Sequence, residues 1–537
     1  MRVLAGGAWN DGYLDYARGE DGVRVQVSAI VNLEALNDVF FVRARSVRMV
    51  WNYLREVGPR AVWLRVRSRM AESGRNEKYV SCGLGVVVEA PAGGPAVGTP
   101  VVFIAPSHPA CAERLVLPAA LVAAAEGGEA AARTGAVLRL AASARGERWW
   151  SGVRGWTPDS GVPLDAAACA AMLGRASETL RAAEWTRAEA LAVDAPSPVA
   201  ERAPAAAGAD GRKTAVLFGY GNYAKVTLLP HVERFLRLSA VHEIDPTQLP
   251  RERRADVAWD TSGVLRGDER PDAVLIAGYH HTHAPLAVET LARGAYAVVE
   301  KPLVTTRAQL DALEAALRRS PRMFACFQKR YLRFNAMALE DLGVGPGEPV
   351  NYHCVVYEIP LPELHWYRWP SSRTRLVSNG CHWIDHFLFL NGFSEPRAWD
   401  LAAGPDGTLN VTVVLENGAF FSMVLTDRGS ERIGMQEHVE LRANDRTVRI
   451  ENGSEYYAES TRGVLRRARA NRLDVYGVMY RTIARAVAEG RPGDSLESVL
   501  VASRLVLALE ERLAQVAGAA FGPAPSAREA GVPAGRA

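Results

Sequence analysis

The chain has 537 residues, of which 48% are hydrophobic and 23% are charged. This average composition excludes a disordered tail protein, a collagen and a bare coiled coil, and the length predicts three or four domains of about 150 residues each. The net charge of +3, from 63 basic and 60 acidic residues, argues against a nucleic-acid-binding protein and against attraction to an anionic membrane.

The sequence also bears on the cell compartment. The N-terminal residues carry no apolar core of a secretory signal, and no apolar run is long enough to cross a membrane. The six cysteines form no C-x-x-C pair, which predicts reduced thiols and neither a disulfide framework nor a Cys-rich zinc site. We therefore expect a cytoplasmic protein.

Residues 1–125 are predicted to form a β-rich domain. Short β-branched runs separated by Gly and Pro predict its strands at 23–31, 85–91, 100–106 and 112–118. Ala-rich stretches at 119–145 and 164–192 predict helices, so that 126–193 forms a helical segment. A stretch rich in Pro, Ala and Gly at 194–212 is predicted to be a linker.

The remainder of the chain has two different patterns. In residues 213–330, short apolar strands alternate with helices, which predicts an α/β fold with a doubly wound parallel sheet of the Rossmann kind. Residues 331–520 contain longer predicted strands in which apolar and polar residues alternate. Two predicted helices, near 473–489 and 495–515, follow these strands. They predict an α+β domain with a largely antiparallel sheet. Residues 521–537 are predicted to be a disordered tail.

The first motif is GYGNYA, between the first predicted strand of the α/β region and a helix. Gly219 allows a tight turn, Gly221 lets the backbone approach a pyrophosphate, and the small Ala224 permits close packing of helix on strand. The helix N-terminus supplies N–H donors for the anion. Glu243, at the end of the second strand, is suited to accept hydrogen bonds from a ribose diol, which favours NAD over NADP. The other residues of the turn predicted to contact the dinucleotide are Asn222 and Tyr223.

A second constellation spans residues 277–306 and contains the triplet Glu300-Lys301-Pro302 at a strand end. Lysine is scarce in this chain, with five residues in all, and it can give up a proton where arginine cannot. Lys301 is predicted to polarise a substrate oxygen. Glu300 and Pro302 are predicted to lie beside the cofactor. The nearby loop histidines are predicted to pack near the nucleotide and cap the next helix, with a metal cluster as the alternative: His280, His281 and His283.

The third motif is SNGCHWIDHF, residues 378–387, at the start of a predicted helix. His382 has the pKa range of a proton shuttle, and Asp385 shares its helix face, suited to meet the substrate. The alternatives are a two-histidine metal site, which lacks the H-E-x-x-H arrangement, and a packed helix with satisfied histidines. Aromatic and basic residues in the preceding segment suit a sugar or an anionic substrate, namely Tyr367, Arg368, Trp369 and Arg373.

These motifs together, in their order and spacing, resemble the glucose–fructose oxidoreductase/inositol dehydrogenase (Gfo/Idh/MocA) family over residues 213–515. The resemblance implies a Rossmann domain, and a second domain whose open sheet builds homo-oligomers. It implies NAD(P)-dependent oxidation or reduction of sugars, cyclitols or related small molecules. It makes Lys301 the catalytic lysine and His382 the catalytic histidine, with Asp385 near the substrate.

Two features depart from a simple dehydrogenase. Several family members carry Asp four residues before the histidine, where this chain has Ser378, which is also expected to face the substrate. Residues 23–122 resemble the GroES-like domain of zinc alcohol dehydrogenases. The stretch Ser81-Cys82-Gly83 stands where that family has a metal-site residue, so the resemblance implies a domain without zinc.

The sequence therefore predicts an oxidoreductase that uses NAD, with NADP less favoured, on a small polar substrate and without a metal. One alternative is a reductase of an imine or enone intermediate in a specialised biosynthetic pathway. A second is a non-catalytic NAD-binding scaffold or regulator, and a third is non-redox use of NAD. We expect a homo-oligomer with no nucleic-acid partner and no membrane association.

Overall fold

The computed structural model describes part of the chain. Its described residues, apart from isolated positions between 51 and 59, are 2–5, 8–11, 23–36, 77–91, 94–106, 114–117, 122–124, 211–243, 254–260, 262–360, 367, 372–429 and 434–520. The chain forms two compact units. The first comprises Met1–Arg333, Leu361–Asn379 and Ala470–Leu500, and the second comprises Phe334–Pro360, Gly380–Arg469 and Val501–Ala537.

The N-terminal strands are antiparallel. One pair consists of β1 Arg2–Ala5 and β2 Ala8–Asp11. A five-stranded sheet in the order β6-β3-β4-β5-β7 consists of β3 Val23–Leu36, β4 Glu77–Glu89, β5 Pro100–Pro106, β6 Arg114–Leu117 and β7 Val122–Ala124.

One N-terminal prediction is wrong in part. Val122–Ala124 is a strand that pairs with β5, where a helix over 119–145 was predicted. The helix was predicted from the alanine content of these residues. That local propensity contains no information about the pairing with β5, which stabilises the strand. The predicted helical segment 126–193, nearly all of the linker 194–212 and the predicted tail 521–537 lie outside the described residues, and the GroES-like resemblance stays a prediction.

The α/β region confirms the predicted Rossmann sheet. Its strands are β8 Thr214–Phe218, β9 Arg237–His242, β10 Ala258–Asp260, β11 Ala273–Ile276, β12 Tyr296–Glu300 and β13 Met323–Cys326. Their order is β10-β9-β8-β11-β12-β13, and every pairing is parallel. From β8 the chain first adds strands on one side, β9 and β10, and then on the other side, β11 to β13. The boundary between β8 and β11 is therefore the switch point, and doubly wound sheets bind ligands there, beyond the carboxyl ends of their strands.

Helices surround this sheet and continue along the chain. The α-helices of the described residues are α1 Leu229–Val232, α2 His283–Ala292, α3 Arg307–Arg319, α4 Phe334–Leu342, α5 Cys381–Leu390, α6 Asp474–Glu489 and α7 Leu496–Ala520. Two π-helical turns, Ala224–Leu228 and Leu376–Gly380, precede α1 and α5. Residues of α6 such as Met479 and Ile483 join the core of the parallel sheet. Because helices cover its faces, the strands β11, β12 and β13 are buried throughout.

The second unit is built on an eight-stranded sheet, as predicted largely antiparallel. Its strands are β14 Asn351–Tyr357, β15 Pro396–Ala403, β16 Leu409–Leu415, β17 Phe420–Thr426, β18 Gln436–Ala443, β19 Arg446–Glu451, β20 Glu455–Ser460 and β21 Gly463–Arg469. The order is β15-β16-β17-β14-β18-β19-β20-β21, and the β14–β17 pairing is parallel. Alternate residues are buried, which leaves one face open. None of the helices in the described part of the chain is long and apolar enough to span a membrane.

Candidate active site

The turn after β8 has the geometry that the glycine motif predicts. Gly219 has φ +91°, and a Cβ there would lie 2.5 Å from the carbonyl oxygen of Ala277. A Cβ on Gly221 would meet nothing within 4 Å. The first glycine is therefore required by the fold, while the second borders open space that a pyrophosphate can use. Ala224 is buried at the start of the π-helical turn, and Asn222 is exposed beside it.

Glu243 lies beside this turn. The carboxylate is buried, and its Oε2 accepts the backbone N–H of Tyr220 at 2.5 Å. The Glu243 backbone N–H donates to the carbonyl of Asp260 at 3.0 Å. A carboxylate held in this way at the end of β9 is placed at the carboxyl edge of the sheet, where an adenosine ribose binds in Rossmann domains.

A buried ionised cluster, formed by His242, Asp260, Arg266 and Glu269, fixes the strand end that carries Glu243. His242 Nδ1 lies 2.5 Å from Asp260 Oδ1, and its Nε2 lies 3.1 Å from Glu269 Oε2. Arg266 Nε lies 2.8 Å from Asp260 Oδ2. Burial opposes protonation of His242, but the charge and hydrogen bond of Asp260 outweigh it and raise the pKa of His242 to about 9. The pKa of Asp260 falls to about 2, because His242 and Arg266 outweigh its burial.

Lys301 directly follows β12, at the same carboxyl edge. Its Nζ donates to the Ser378 carbonyl at 2.8 Å and to Asn379 Oδ1 at 3.3 Å, and it lies 5.6 Å from the centre of the Tyr367 ring. The bond from Lys301 to Pro302 is cis. Both of these acceptors are neutral oxygens, a backbone carbonyl and a side-chain amide. Ser378 acts here through its backbone, and sequence analysis missed Asn379, although it is the second residue of the SNGCHWIDHF motif.

Buried histidines from the loop after β11 pack against the residues around Lys301. His283 is the first residue of α2, and its Nδ1 lies 2.8 Å from the Pro302 carbonyl oxygen while its Nε2 lies 3.1 Å from the Gly278 carbonyl oxygen. Its buried ring therefore positions Pro302 from within the fold. His280 is also buried, 4.8 Å from the ring of Tyr367, and burial with the nearby charge of Lys301 holds the pKa of His280 well below its ordinary value.

Of the aromatic and basic segment, the structure describes two of the predicted residues. Tyr367 faces Lys301, as stated above. Arg373 has φ +61° and donates from Nε to the Thr305 carbonyl at 2.8 Å, which joins its segment to the loop that follows Lys301. Arg368 and Trp369 lie outside the described residues.

The structure places His382 and Asp385 in α5 of the second unit. His382 is 6% exposed and Asp385 is fully buried. His386 on the same face is engaged by the Tyr352 hydroxyl at 3.1 Å and by Asn335 Oδ1 at 2.9 Å, which is a structural role. Within the described ranges, no group of three or more His, Cys, Asp or Glu side chains is arranged to hold a metal ion.

Glu300 completes the site from inside the sheet. Its Oε1 accepts the Tyr223 hydroxyl at 3.1 Å, and the Tyr480 hydroxyl of α6 donates to the same oxygen. Sequence analysis missed Tyr480, because no local pattern connects it with a residue 180 positions away. It also missed the ionised cluster, three of whose members lie in loops or in the short strand β10.

Comparisons with known proteins agree with this geometry. Residues 213–327 match the profile of the Gfo/Idh/MocA oxidoreductase family, described by its NAD-binding Rossmann fold. A search of curated proteins finds no match.

Several solved structures are similar to this chain at low identity. A dehydrogenase from Chromobacterium violaceum is 17% identical, with a TM-score of 0.49 over 57% of this chain and 98% of that one. GenD2 from gentamicin A biosynthesis, in complex with NAD, is 19% identical, with a TM-score of 0.45 over 56% and 94%. An aldose-aldose oxidoreductase from Caulobacter crescentus is 18% identical, with a TM-score of 0.46 over 57% and 98%.

The assignment rests on the family match together with the observed strand order and glycine turn. Residues 213–327 of this chain are an NAD-binding Rossmann domain of the Gfo/Idh/MocA oxidoreductase family, and the protein is an oxidoreductase.

Proposed function

We propose that this protein transfers a hydride between a nicotinamide cofactor and a small polar substrate such as a sugar or cyclitol. One observation carries the proposal: the glycine turn, Glu243 and Lys301 all follow strands of one parallel sheet, so they meet at its carboxyl edge. This edge is where such sheets bind a dinucleotide and its substrate.

The residues present fit a dinucleotide. The open space beside Gly221 accommodates a pyrophosphate, and Glu243 is held where it can accept the ribose hydroxyls. A carboxylate there repels a 2′-phosphate, which supports NAD over NADP. When bound, the nicotinamide supplies or accepts the hydride.

Lys301 and His382 divide the proton chemistry. The Lys301 ammonium donates a hydrogen bond to the reacting oxygen of the substrate and stabilises the charge that develops there. His382 takes or returns the hydroxyl proton, since imidazole titrates near neutral pH. Tyr367, already in contact with the Lys301 ammonium, supports the substrate ring with its aromatic face.

A second candidate function is reduction of an imine or enone. It is supported by Ser378, which stands where a carboxylate would raise the basicity of His382 and which instead binds Lys301 through its carbonyl. Without that carboxylate, polarisation of an already unsaturated substrate by Lys301 is easier than oxidation of an alcohol.

The experiment that separates the two offers the enzyme with NAD to a panel of sugars and cyclitols, and with NADH to a panel of imines and enones. Absorbance of the reduced nicotinamide reports turnover, and Lys301→Met serves as the inactive control. Turnover of the first panel supports the sugar or cyclitol assignment, whereas turnover of the second alone supports the reductase. Activity that persists in Lys301→Met contradicts both.

The open face of the eight-stranded sheet supports a homo-oligomer. Two large apolar side chains on this open face are exposed by 38–48%, namely Val355 and Phe420. Exposed apolar residues on a sheet face are typical of a surface covered in an assembly. Light scattering of the purified protein tests this, and a monomer at micromolar concentration contradicts it.

A further inference from the structure

A cluster of side-chain oxygens, formed by Tyr223, Glu300 and Tyr480 and here called the phenol cluster, lies between the glycine turn and Lys301. Glu300 and Tyr480 are buried, and Tyr223 is 36% exposed. The Tyr223 hydroxyl is 3.1 Å from Glu300 Oε1 and 2.9 Å from the Tyr480 hydroxyl, which itself contacts Glu300 Oε1. The three oxygens thus form a closed triangle that joins the turn, β12 and α6.

The second oxygen of the same carboxyl group reaches Lys301. Glu300 Oε2 accepts the Lys301 backbone N–H at 3.3 Å, and the Lys301 side chain then extends to Ser378. One side chain therefore holds the dinucleotide turn with one oxygen and the backbone of the proposed catalytic lysine with the other.

Burying the carboxyl group of the phenol cluster costs free energy, which argues that the cluster has a role besides packing. A carboxyl group removed from water costs free energy unless it is fully paired, while apolar side chains of the same volume need no partners. Burial raises the pKa of Glu300 above its ordinary value, and the hydrogen bonds of Tyr480 and Tyr223 and the charge of Lys301 oppose that rise. The fourth group facing Glu300 is the buried thiol of Cys326.

The number of protons in the triangle changes with Glu300. Each side of the triangle is a contact between two oxygens and needs one proton to become a hydrogen bond. While Glu300 is ionised, the two phenol protons make two of these hydrogen bonds, and a proton on Glu300 makes the third. Protonation therefore reorganises the bonds that hold Tyr223, and it removes the negative charge beside Lys301.

We propose that Glu300 and Tyr480 are positioning residues that couple the glycine turn to Lys301, so that one cluster sets both dinucleotide affinity and the place of the ammonium. This inference rests on the proposed function. Tyr480 lies under the site on α6, and it acts through Glu300 and Tyr223.

The test compares Tyr480→Phe, Tyr223→Phe and the double variant with the wild type. Affinity for NAD is measured by quenching of protein fluorescence over a pH series that extends upward from the ordinary pKa range of a carboxyl group to about pH 9. Each single variant is expected to weaken affinity about threefold to tenfold, the effect of one lost hydrogen bond of ordinary net strength. The double variant is expected to lose less than the product of the two, because both hydroxyls serve one oxygen.

The pH dependence provides the readout that simple packing would not change. Loss of a hydrogen bond that favours the carboxylate raises the pKa of Glu300 further, so the acid-side fall in affinity is expected to begin at higher pH in Tyr480→Phe than in the wild type. The control is Tyr476→Phe on the same helix, whose ring also contacts the Tyr223 ring edge-on at 6.1 Å. Its affinity and pH profile are expected to stay within about twofold of the wild type, because no hydroxyl of the triangle is lost.

An unchanged affinity and an unchanged acid limb in both single variants overturn the coupling. Should Tyr480→Phe fail to fold, Tyr223→Phe decides, because Tyr223 is 36% exposed whereas Tyr480 is a fully buried residue of the core. A wild-type protein that binds neither NAD nor NADP contradicts the proposed function itself, which is a different result from a wild type that binds and variants that bind equally well.

Discussion

The two halves of the sheet's carboxyl edge are held in different ways. At the β8–β10 side, the glycine turn and Glu243 are backed by the ionised cluster around His242. At the β12 side, Lys301 is backed by the phenol cluster around Glu300. The first half is built for dinucleotide binding, and the second contains the group proposed to act on the substrate.

The difference teaches how each half responds to protons. Opposite charges in the ionised cluster hold the pKa of His242 at about 9 and that of Asp260 at about 2, so the cluster keeps its charges across the neutral range. In the phenol cluster, burial raises the pKa of Glu300, which brings its proton closer to working pH. Charge thus fixes the end of β9 that carries Glu243, while the phenol cluster, which holds both the glycine turn and Lys301, responds to one proton.

The largest effect is expected for Lys301→Ala, which should lower kcat while leaving affinity for NAD nearly unchanged. Lys301→Ala removes the donor to the reacting oxygen, and we expect kcat to fall at least about 100-fold, the usual contribution of an acid–base group. Affinity for NAD is expected to change less than about threefold, because Lys301 belongs to the reacting half. Steady-state kinetics and a fluorescence titration measure the two quantities.

A matched control is Lys213→Met. Lys213 donates to the Val487 carbonyl at 2.7 Å and precedes β8, at the amino end of the sheet. Its loss is expected to lower the thermal midpoint and to leave kcat within about twofold, since it lies at the opposite edge from the chemistry. Equal losses of kcat in both lysine variants would remove the distinction between the two edges.

The opposite dissociation is expected for Glu243→Gln. The amide keeps the shape of the side chain but loses the charge that binds a ribose diol, so affinity for NAD is expected to fall about tenfold. Affinity for NADP is expected to fall less or to rise, because repulsion of the 2′-phosphate disappears. Parallel titrations with the two nucleotides decide, and an equal loss for both would show that Glu243 does not read the ribose.

The two glycines of the turn sharpen the account of the binding half. Gly221→Ala is expected to keep the thermal midpoint and to weaken NAD binding about tenfold, because its methyl group enters the space assigned to the pyrophosphate. Gly219→Ala is expected to destabilise the protein by about 2 kcal/mol or more, because its Cβ meets the Ala277 carbonyl at positive φ. Thermal unfolding and titration of both variants test this, and a Gly221→Ala protein with normal affinity would contradict the assigned pyrophosphate site.

The ionised cluster is also expected to make the stability of the protein sensitive to alkaline pH. The pKa of His242 is raised from 6.5 to about 9, so its stabilisation is complete below pH 6.5 and is lost as the pH rises through about 9. The expected total loss is about 3 kcal/mol. The lowered pKa of Asp260 acts at the other end, with stabilisation above pH 3.8 that is lost toward about pH 2. Thermal midpoints at closely spaced pH values measure this, and a flat profile from pH 6.5 to above pH 9 would contradict the cluster's charge state.

The sequence predicts what depends on local pattern. The strand–GYGNYA–helix arrangement, the triplet around Lys301 and the helix that begins near His382 each occupy consecutive residues, and the structure shows these elements at the predicted places. Periodicity and turn chemistry suffice for such elements.

The rest depends on contacts between distant residues. Tyr480 reaches Glu300 across 180 positions, and Glu269 reaches His242 across 27, so neither cluster has a sequence signature. The alanines of Val122–Ala124 predict a helix, because a local pattern shows the alanines but not the distant strand β5 with which these residues pair. Side chains that hold the site in place are therefore the least predictable part of it.

The most direct test of the central claim is nucleotide binding by the purified protein. The protein is denatured, any released nucleotide is identified by mass spectrometry, and the stripped protein is titrated with NAD and with NADP. Release or preferential binding of NAD(H) is the predicted result. A protein that releases no nucleotide and binds neither contradicts the assignment of the carboxyl edge as a dinucleotide site, and with it the proposed hydride transfer.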